Sequence, residues 1–148
     1  MIPFLDSSAV LKFYLRDEAG RESVRQATAG GVRTAMSRLT YVEVRSGLAA
    51  ARRSGRIAAV AHDKAVTAFE GSSSEYDMIE FDEVVALRAA DVAETYGLRA
   101  GDAIQLASAL ALASALAVSG DGVVLVAWDL RLRAAAAAVG LPVFPQAI

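Results

Sequence analysis

The stretch VVLVA at 123–127 decides the fold class. It is short, continuous and rich in β-branched valine, and it lacks polar alternation. Such a run suits a strand covered on both faces, as in a parallel sheet. Further short apolar runs lie at 2–5, ending at Asp6, at 32–36, and at 77–81, where DMIEF alternates. A last run at 142–144 begins with Pro142, which suits a strand start or a sheet edge. Helical patterns fill the intervals. Ser7 and Ser8 are N-cap candidates for one running through Lys12, Tyr14 and Arg16. The next, at 21–29, stops at Gly30 and Gly31. Ser37 or Thr40 opens a third, reaching about Arg53 before Gly55 interrupts, and 57–69 follows. Asp82 caps a helix with Val85, Ala89, Val92 and Tyr96 on one face, ended by Gly97. Asp102 begins an apolar helix, and 129–139 is helical up to Gly140. Strands alternating with helices predict an α/β fold with one domain over 1–148. Its central sheet is mostly parallel, with four to five short strands and helices on both faces. Ligands of such sheets bind outside the carboxyl ends of the strands.

The composition narrows the chemistry. Of 148 residues, 55% are hydrophobic and 22% charged, which excludes a disordered chain. There is no cysteine, so thiolate metal sites, iron–sulfur clusters and cysteine nucleophiles are excluded. A single histidine, His62, excludes a multi-histidine centre, and it shares a helical face with Val66 and Phe69. Carboxylates, hydroxyls and arginines remain. A net charge of −2 is not the global signature of a nucleic-acid binder, although a local basic rim is compatible with it. The stretch AIQLASALALASALAV at 103–118 is shorter than a membrane span and carries Gln105, Ser108 and Ser114. It reads as a buried central helix. No basic region followed by an apolar stretch opens the chain. The expectation is a cytoplasmic protein without a membrane span.

Four acids fall at transitions between elements. Asp6 follows the first strand, and Glu43 lies about a turn into the helix after the second. Asp102 opens the apolar helix, and Asp129 follows VVLVA by two residues. These positions can converge at the carboxyl edge of one sheet. Each also has a plain structural reading: Asp6, Asp102 and Asp129 as acids at helix N-termini, Glu43 as an exposed helix residue. Converging carboxylates suit a hard divalent cation such as magnesium, which takes oxygen ligands and activates water.

With these residues placed, the chain resembles a PIN-domain ribonuclease toxin of the VapC type over essentially its whole length. FLDSSAVLKFY at 4–14 is similar to the family's opening strand, acid and small hydroxyl residue. SRLTYVEVRSGL at 37–48 is similar to the segment holding its glutamate. LRAGDAIQLASAL at 98–110 is similar to its central acidic motif, the most specific of the four. LVAWDLRLRAAAAAVGL at 125–141 is similar to its last acidic motif and closing helix. The resemblance implies an endoribonuclease dependent on Mg2+ or Mn2+, a homodimer, and inhibition by a VapB-like antitoxin. It maps the acidic site onto Asp6, Glu43, Asp102 and Asp129. Asp6 and Asp102 are then the primary metal ligands, with Glu43 and Asp129 acting through water or on a second ion.

One departure stands out. Family members often carry threonine or serine two positions before the last acid, where this chain has Ala127 and then Trp128. That substitution motivates a second reading, a catalytically inactive PIN-fold module that keeps the antitoxin surface. Other classes fit less well. A haloacid-dehalogenase-like phosphatase has a second aspartate two residues after the first, where this chain has Ser8. A response-regulator receiver has an acidic pair where Asp6 stands alone.

Around the acids, Ser7 reads as a helix cap or a substrate contact, and Arg99 as a phosphate contact or a solvated arginine. Lys12, Arg16, Arg131 and Arg133 flank the motifs and can form a basic rim. Arg38, Arg45, Arg52 and Arg56 make one helical stripe if the helix continues through Gly55. About 160° separates Arg45 from Glu43, so the stripe reads as a solvated or partner-facing surface. Trp128 reads as a packed residue or a base-stacking platform. Tyr14 and Leu11 read as core or dimer contacts.

Overall fold

A computed structural model describes all residues, 1–148. Five strands form one sheet: β1 (Ile2–Leu5), β2 (Ala35–Ser37), β3 (Asp77–Ile79), β4 (Val123–Val126) and β5 (Val143–Phe144). Their order is β3-β2-β1-β4-β5, and every adjacent pair is parallel. The central pair registers Phe4 against Leu125 and Leu5 against Val126.

Alternate residues of these strands enter two different cores. Phe4, Ala35 and Leu125 pack with α5 (Glu83–Tyr96), α6 (Ala100–Leu116) and α7 (Leu130–Ala138). Leu5, Met36 and Val126 pack with α1 (Ser7–Tyr14), α2 (Arg21–Ala27), α3 (Arg38–Arg53) and α4 (Ala59–Ser72). This is why VVLV shows no polar alternation: both of its faces are roofed by helices. The expected α/β architecture, with a parallel sheet and helices on both faces, is borne out.

From β1 the chain steps outward through β2 to β3 and then returns to the far side of β1 as β4. The direction of winding reverses between β1 and β4. Sheets wound in this way bind ligands at such a switch point, outside the carboxyl ends of the strands.

Several element boundaries differ from the sequence expectation. Asp6, not Ser7 or Ser8, is the N-cap of α1: its backbone is extended and its carboxylate accepts the Ala9 amide. Ser37 caps α3 and Asp82 caps α5, both as the sequence predicts. The α3 helix stops at Arg53 and Gly55 takes a positive φ of 75°, so Arg56 leaves the arginine stripe. Helix α6 is the apolar central helix, and no helix is long and apolar enough to cross a membrane.

Candidate active site at the β1–β4 switch point

Asp6 sits where β1 becomes α1 and is only 4% exposed. Its Oδ1 accepts from the Ser8 hydroxyl at 2.7 Å and the Ala9 amide at 2.9 Å. Burial pushes the carboxyl up to about 7, against these two hydrogen bonds, which lower it; the charges of Glu43 and Asp102 raise it further. Those three acids therefore share one electrostatic neighbourhood.

Glu43 reaches that neighbourhood from α3. Its Oε2 accepts from Gln105 Nε2 at 2.7 Å, and a Cβ at Gly101 would lie 3.0 Å from its Oε1. Glycine at 101 thus lets the start of α6 approach Glu43 closely. Asp102, in the first turn of α6, accepts from Arg99 Nε at 3.2 Å. Asp129 is the N-cap of α7; its Oδ1 accepts from the amides of Arg131 and Leu132. Its Oδ2 faces Arg99 Nη2 at 3.7 Å. Oδ1 thus serves as the helix cap, and Oδ2 is turned toward Arg99.

All four acids lie along the switch-point edge, but they do not close into a ready-made ligand set: no three form a metal-binding group as they stand. Each carboxylate faces a protein donor instead, Asp6 to Ser8, Glu43 to Gln105, and Asp102 and Asp129 to one shared guanidinium. Arg99 is thus drawn into the acidic cluster as its counter-charge. Ser7 occupies the first turn of α1, half-buried.

The remaining cations correct the expected rim. Lys12 is buried and paired with Glu18, and Arg133 donates to the carbonyls of Ala127 and Pro145. Neither faces solvent as a rim residue. Arg131 is exposed beside Asp129, where an open cleft of about 540 Å³ is lined by Arg99, Trp128, Asp129, Leu130 and Arg131. The arginines of the former stripe are neutralised within the chain: Arg38 by Glu80, Arg45 by Glu70, Arg52 by Asp63, and Arg56 by Asp17 and Glu18. Trp128 is partly buried against the α1–α4 core. Tyr14 packs edge-on against Phe69, and His62 lies half-buried beside Asp63.

Gln105 and Thr40 were not singled out as site residues from sequence. Both are buried; Gln105 Nε2 also donates to Thr40 Oγ1 at 2.9 Å. The readable signal is a glutamine in a mostly apolar helix, three residues after Asp102 and so on its face.

The PIN domain family model matches residues 4–136. Ribonuclease VapC45 of Mycobacterium tuberculosis is 36% identical over 152 residues, covering 96% of this chain and 94% of its own. The chain is a PIN domain of the VapC family. Among solved structures, FitAcB from Neisseria gonorrhoeae aligns with a TM-score of 0.71 at 21% identity, covering 97% of this PIN domain and 96% of the other chain. A toxin–antitoxin complex from Klebsiella pneumoniae aligns at 0.54 and 20% identity, covering 82% and 83%. These two likenesses concern the fold. In this PIN domain the switch-point edge carries the four acids matched by motif.

Proposed function

We propose that this VapC-family PIN domain is an endoribonuclease that hydrolyses RNA phosphodiester bonds at the β1–β4 edge with a carboxylate-held Mg2+ or Mn2+. The observation that carries the reading is the convergence of Asp6, Glu43 and Asp102, close enough for each to bear on Asp6 through its charge. The 36% identity to a ribonuclease supports the same class.

The donor set fits a hard divalent cation. It is all oxygen, and burial pushes the carboxyl of its most buried member, Asp6, up to about 7, a desolvation penalty that a bound cation would offset. Asp6 and Asp102 would be the principal ligands, with Glu43 and Asp129 completing the site. A divalent cation there lowers the pKa of bound water and offsets phosphate charge. The chain supplies the rest. Ser8 and the Ala9 amide fix Asp6, Gln105 fixes Glu43, and the α7 amides fix Asp129. Arg99 and Arg131 line the adjoining cleft and can hold the RNA backbone, with Ser7 as a further contact from the first turn of α1.

The inactive-module reading rested on Ala127. That methyl packs in the α5–α7 core, while Ser8 places a hydroxyl between Asp6 and the Trp128 amide. A hydroxyl is therefore present at the corner, which favours the active reading.

In the toxin role, a VapB-like antitoxin would occupy the groove of about 750 Å³ between α1 and α4. Phe13, Ile57 and the exposed Val60 give it an apolar lining, and Arg16, Arg21 and Lys64, which outnumber Asp17 there, a basic rim complementary to an acidic amphipathic segment. Exposed Val84 and Leu87 on α5 support a homodimer, and the reading places the protein in the cytoplasm.

The experiment compares wild type with Asp102→Asn on structured cellular RNA, with EDTA, Mg2+ or Mn2+. Discrete cleavage by wild type alone, and only with a metal, is the expected result. Full metal-dependent cleavage by Asp6→Ala would overturn the mechanism. Metal binding without cleavage of any RNA would move the assignment to the inactive module.

A further inference from the structure

Only two charged side chains in the chain are buried, Asp6 and Lys12, and both lie on the β1–α1 segment. The Lys12 ammonium is 3.0 Å from Glu18 Oε2 and 4.5 Å from the centre of the Trp128 ring. The Trp128 amide donates to Ser8 Oγ at 3.2 Å, and Ser8 Oγ donates to Asp6 Oδ1 at 2.7 Å. The two buried charges are therefore joined by an unbroken set of contacts through the β4–α7 corner.

We propose that Lys12 is a positioning residue for this corner: its ammonium, anchored by Glu18, clamps the Trp128 indole, and the clamped Trp128 amide holds Ser8 on Asp6. Burying an ammonium is costly, and a single carboxylate offsets that cost only when the geometry is good. The aromatic face supplies the second attraction, which is stronger when desolvated. Gly20 shapes the other constraint on the indole. A Cβ there would stand 2.7 Å from Trp128 Cζ2, so the ring fits only because residue 20 has no side chain. With the indole held, the next residue, Asp129, starts α7 in a fixed direction. The clamp thus fixes two of the four acids at once, one through Ser8 and one through the chain. Its functional consequence rests on the nuclease reading above, whereas the clamp itself is a matter of structure.

The test uses Lys12→Met, Lys12→Arg and, as a control, Arg53→Met at the exposed end of α3. Hydrogen exchange at the Trp128 amide reads the corner directly, with the Val44 amide as a core reference. Mn2+ affinity by electron paramagnetic resonance and RNA kinetics read the consequence. Lys12→Met is expected to speed Trp128 exchange at least about tenfold, leaving Val44 unchanged, and to weaken Mn2+ binding by about tenfold. Its kcat should fall while KM for RNA holds within about twofold. Lys12→Arg, which keeps the charge and the ring contact, should restore most of both.

Unchanged exchange at Trp128 in Lys12→Met overturns the proposal. So does faster exchange with unaltered Mn2+ affinity, because Lys12 would then be packing alone. If Lys12→Met does not fold, Trp128→Phe against Trp128→Ala decides: only the ring-less variant should loosen the corner and lose Mn2+, and equal behaviour overturns the clamp. A wild type that neither binds Mn2+ nor cuts RNA defeats the nuclease reading, and the residue-128 exchange data then judge the clamp by themselves.

Discussion

Gln105 Nε2 donates to Glu43 Oε2 across 2.7 Å from the buried face of α6, three residues after Asp102. One helix therefore supplies an acid and also aims the acid of another helix. Gln105→Leu removes that donor and leaves Thr40 without its amide partner. The expected cost is about 1–3 kcal/mol of stability. Metal-dependent cleavage should fall by about tenfold or more, as for other groups that orient metal ligands. Denaturant melts and RNA kinetics check both; a fully active Gln105→Leu would show that Glu43 needs no aiming.

Asp6 predicts an unusual pH profile of stability. Its carboxyl titrates near 7 in the folded protein and near 4 when unfolded. Between those values the native state keeps a proton that the unfolded chain has lost. Stability must therefore fall as pH rises through this window, by up to about 1.4 kcal/mol per pH unit from this group. Thermal melts of wild type and Asp6→Asn from pH 4 to 8, without divalent cations, isolate the contribution. The gap between them should widen against wild type with rising pH, and Mn2+ should narrow it by favouring the charged carboxylate.

Two glycines should respond oppositely to alanine. Gly20 has φ +84° and no room beside Trp128, so Gly20→Ala is expected to cost about 2–4 kcal/mol and to shift the emission of the only tryptophan. Gly71 lies in α4 with nothing near its absent Cβ, so Gly71→Ala should be neutral or stabilising by up to about 1 kcal/mol. A Gly20→Ala variant with native stability and native emission would contradict the packing described.

Arg99 holds Asp102 and Asp129 together as a shared counter-ion. A cation binding there must compete with it. Arg99→Ala should tighten Mn2+ binding by about three- to tenfold, a modest change because the side chain is 74% exposed. The same variant should raise KM for RNA, because the guanidinium released by the metal is then missing from the cleft. Titration calorimetry and steady-state kinetics separate the two effects; weaker Mn2+ binding would contradict the competition.

The fold was legible because its signals are local and agree. VVLV, the helix stops at Gly97 and Gly140, and the Asp82 cap all follow from short stretches of sequence. The placement of Asp6, Asp102 and Asp129 was legible too, since each adjoins a strand end or a helix start, whereas Glu43 lies more than a turn inside α3. Lys12 was misread as a rim cation because the carboxylate and ring that bury it arrive from Glu18 and Trp128, the latter 116 positions along the chain. Arg133 was misread for a related reason, its partners being backbone carbonyls that no side-chain pattern encodes. Arg56 lies outside the stripe because α3 ends at Arg53 before Gly55, the stop that the glycine signals in the sequence. Pairings across the fold, not propensities along it, decide the cases of Lys12 and Arg133.

The internal neutralisation of Arg38, Arg45, Arg52 and Arg56 bears on how the protein meets a polyanion. Binding to nucleic acid gains much of its strength by releasing ions condensed on phosphates, in proportion to the number of phosphates contacted. A surface whose arginines already face acids releases few. On the nuclease reading, RNA at the β1–β4 edge would gain nothing from these four arginines and would grip a short stretch of backbone through Arg99 and Arg131, with an affinity that varies only shallowly with ionic strength. Choice among RNAs would then fall to the shape of the strand that can enter the cleft beside Asp129.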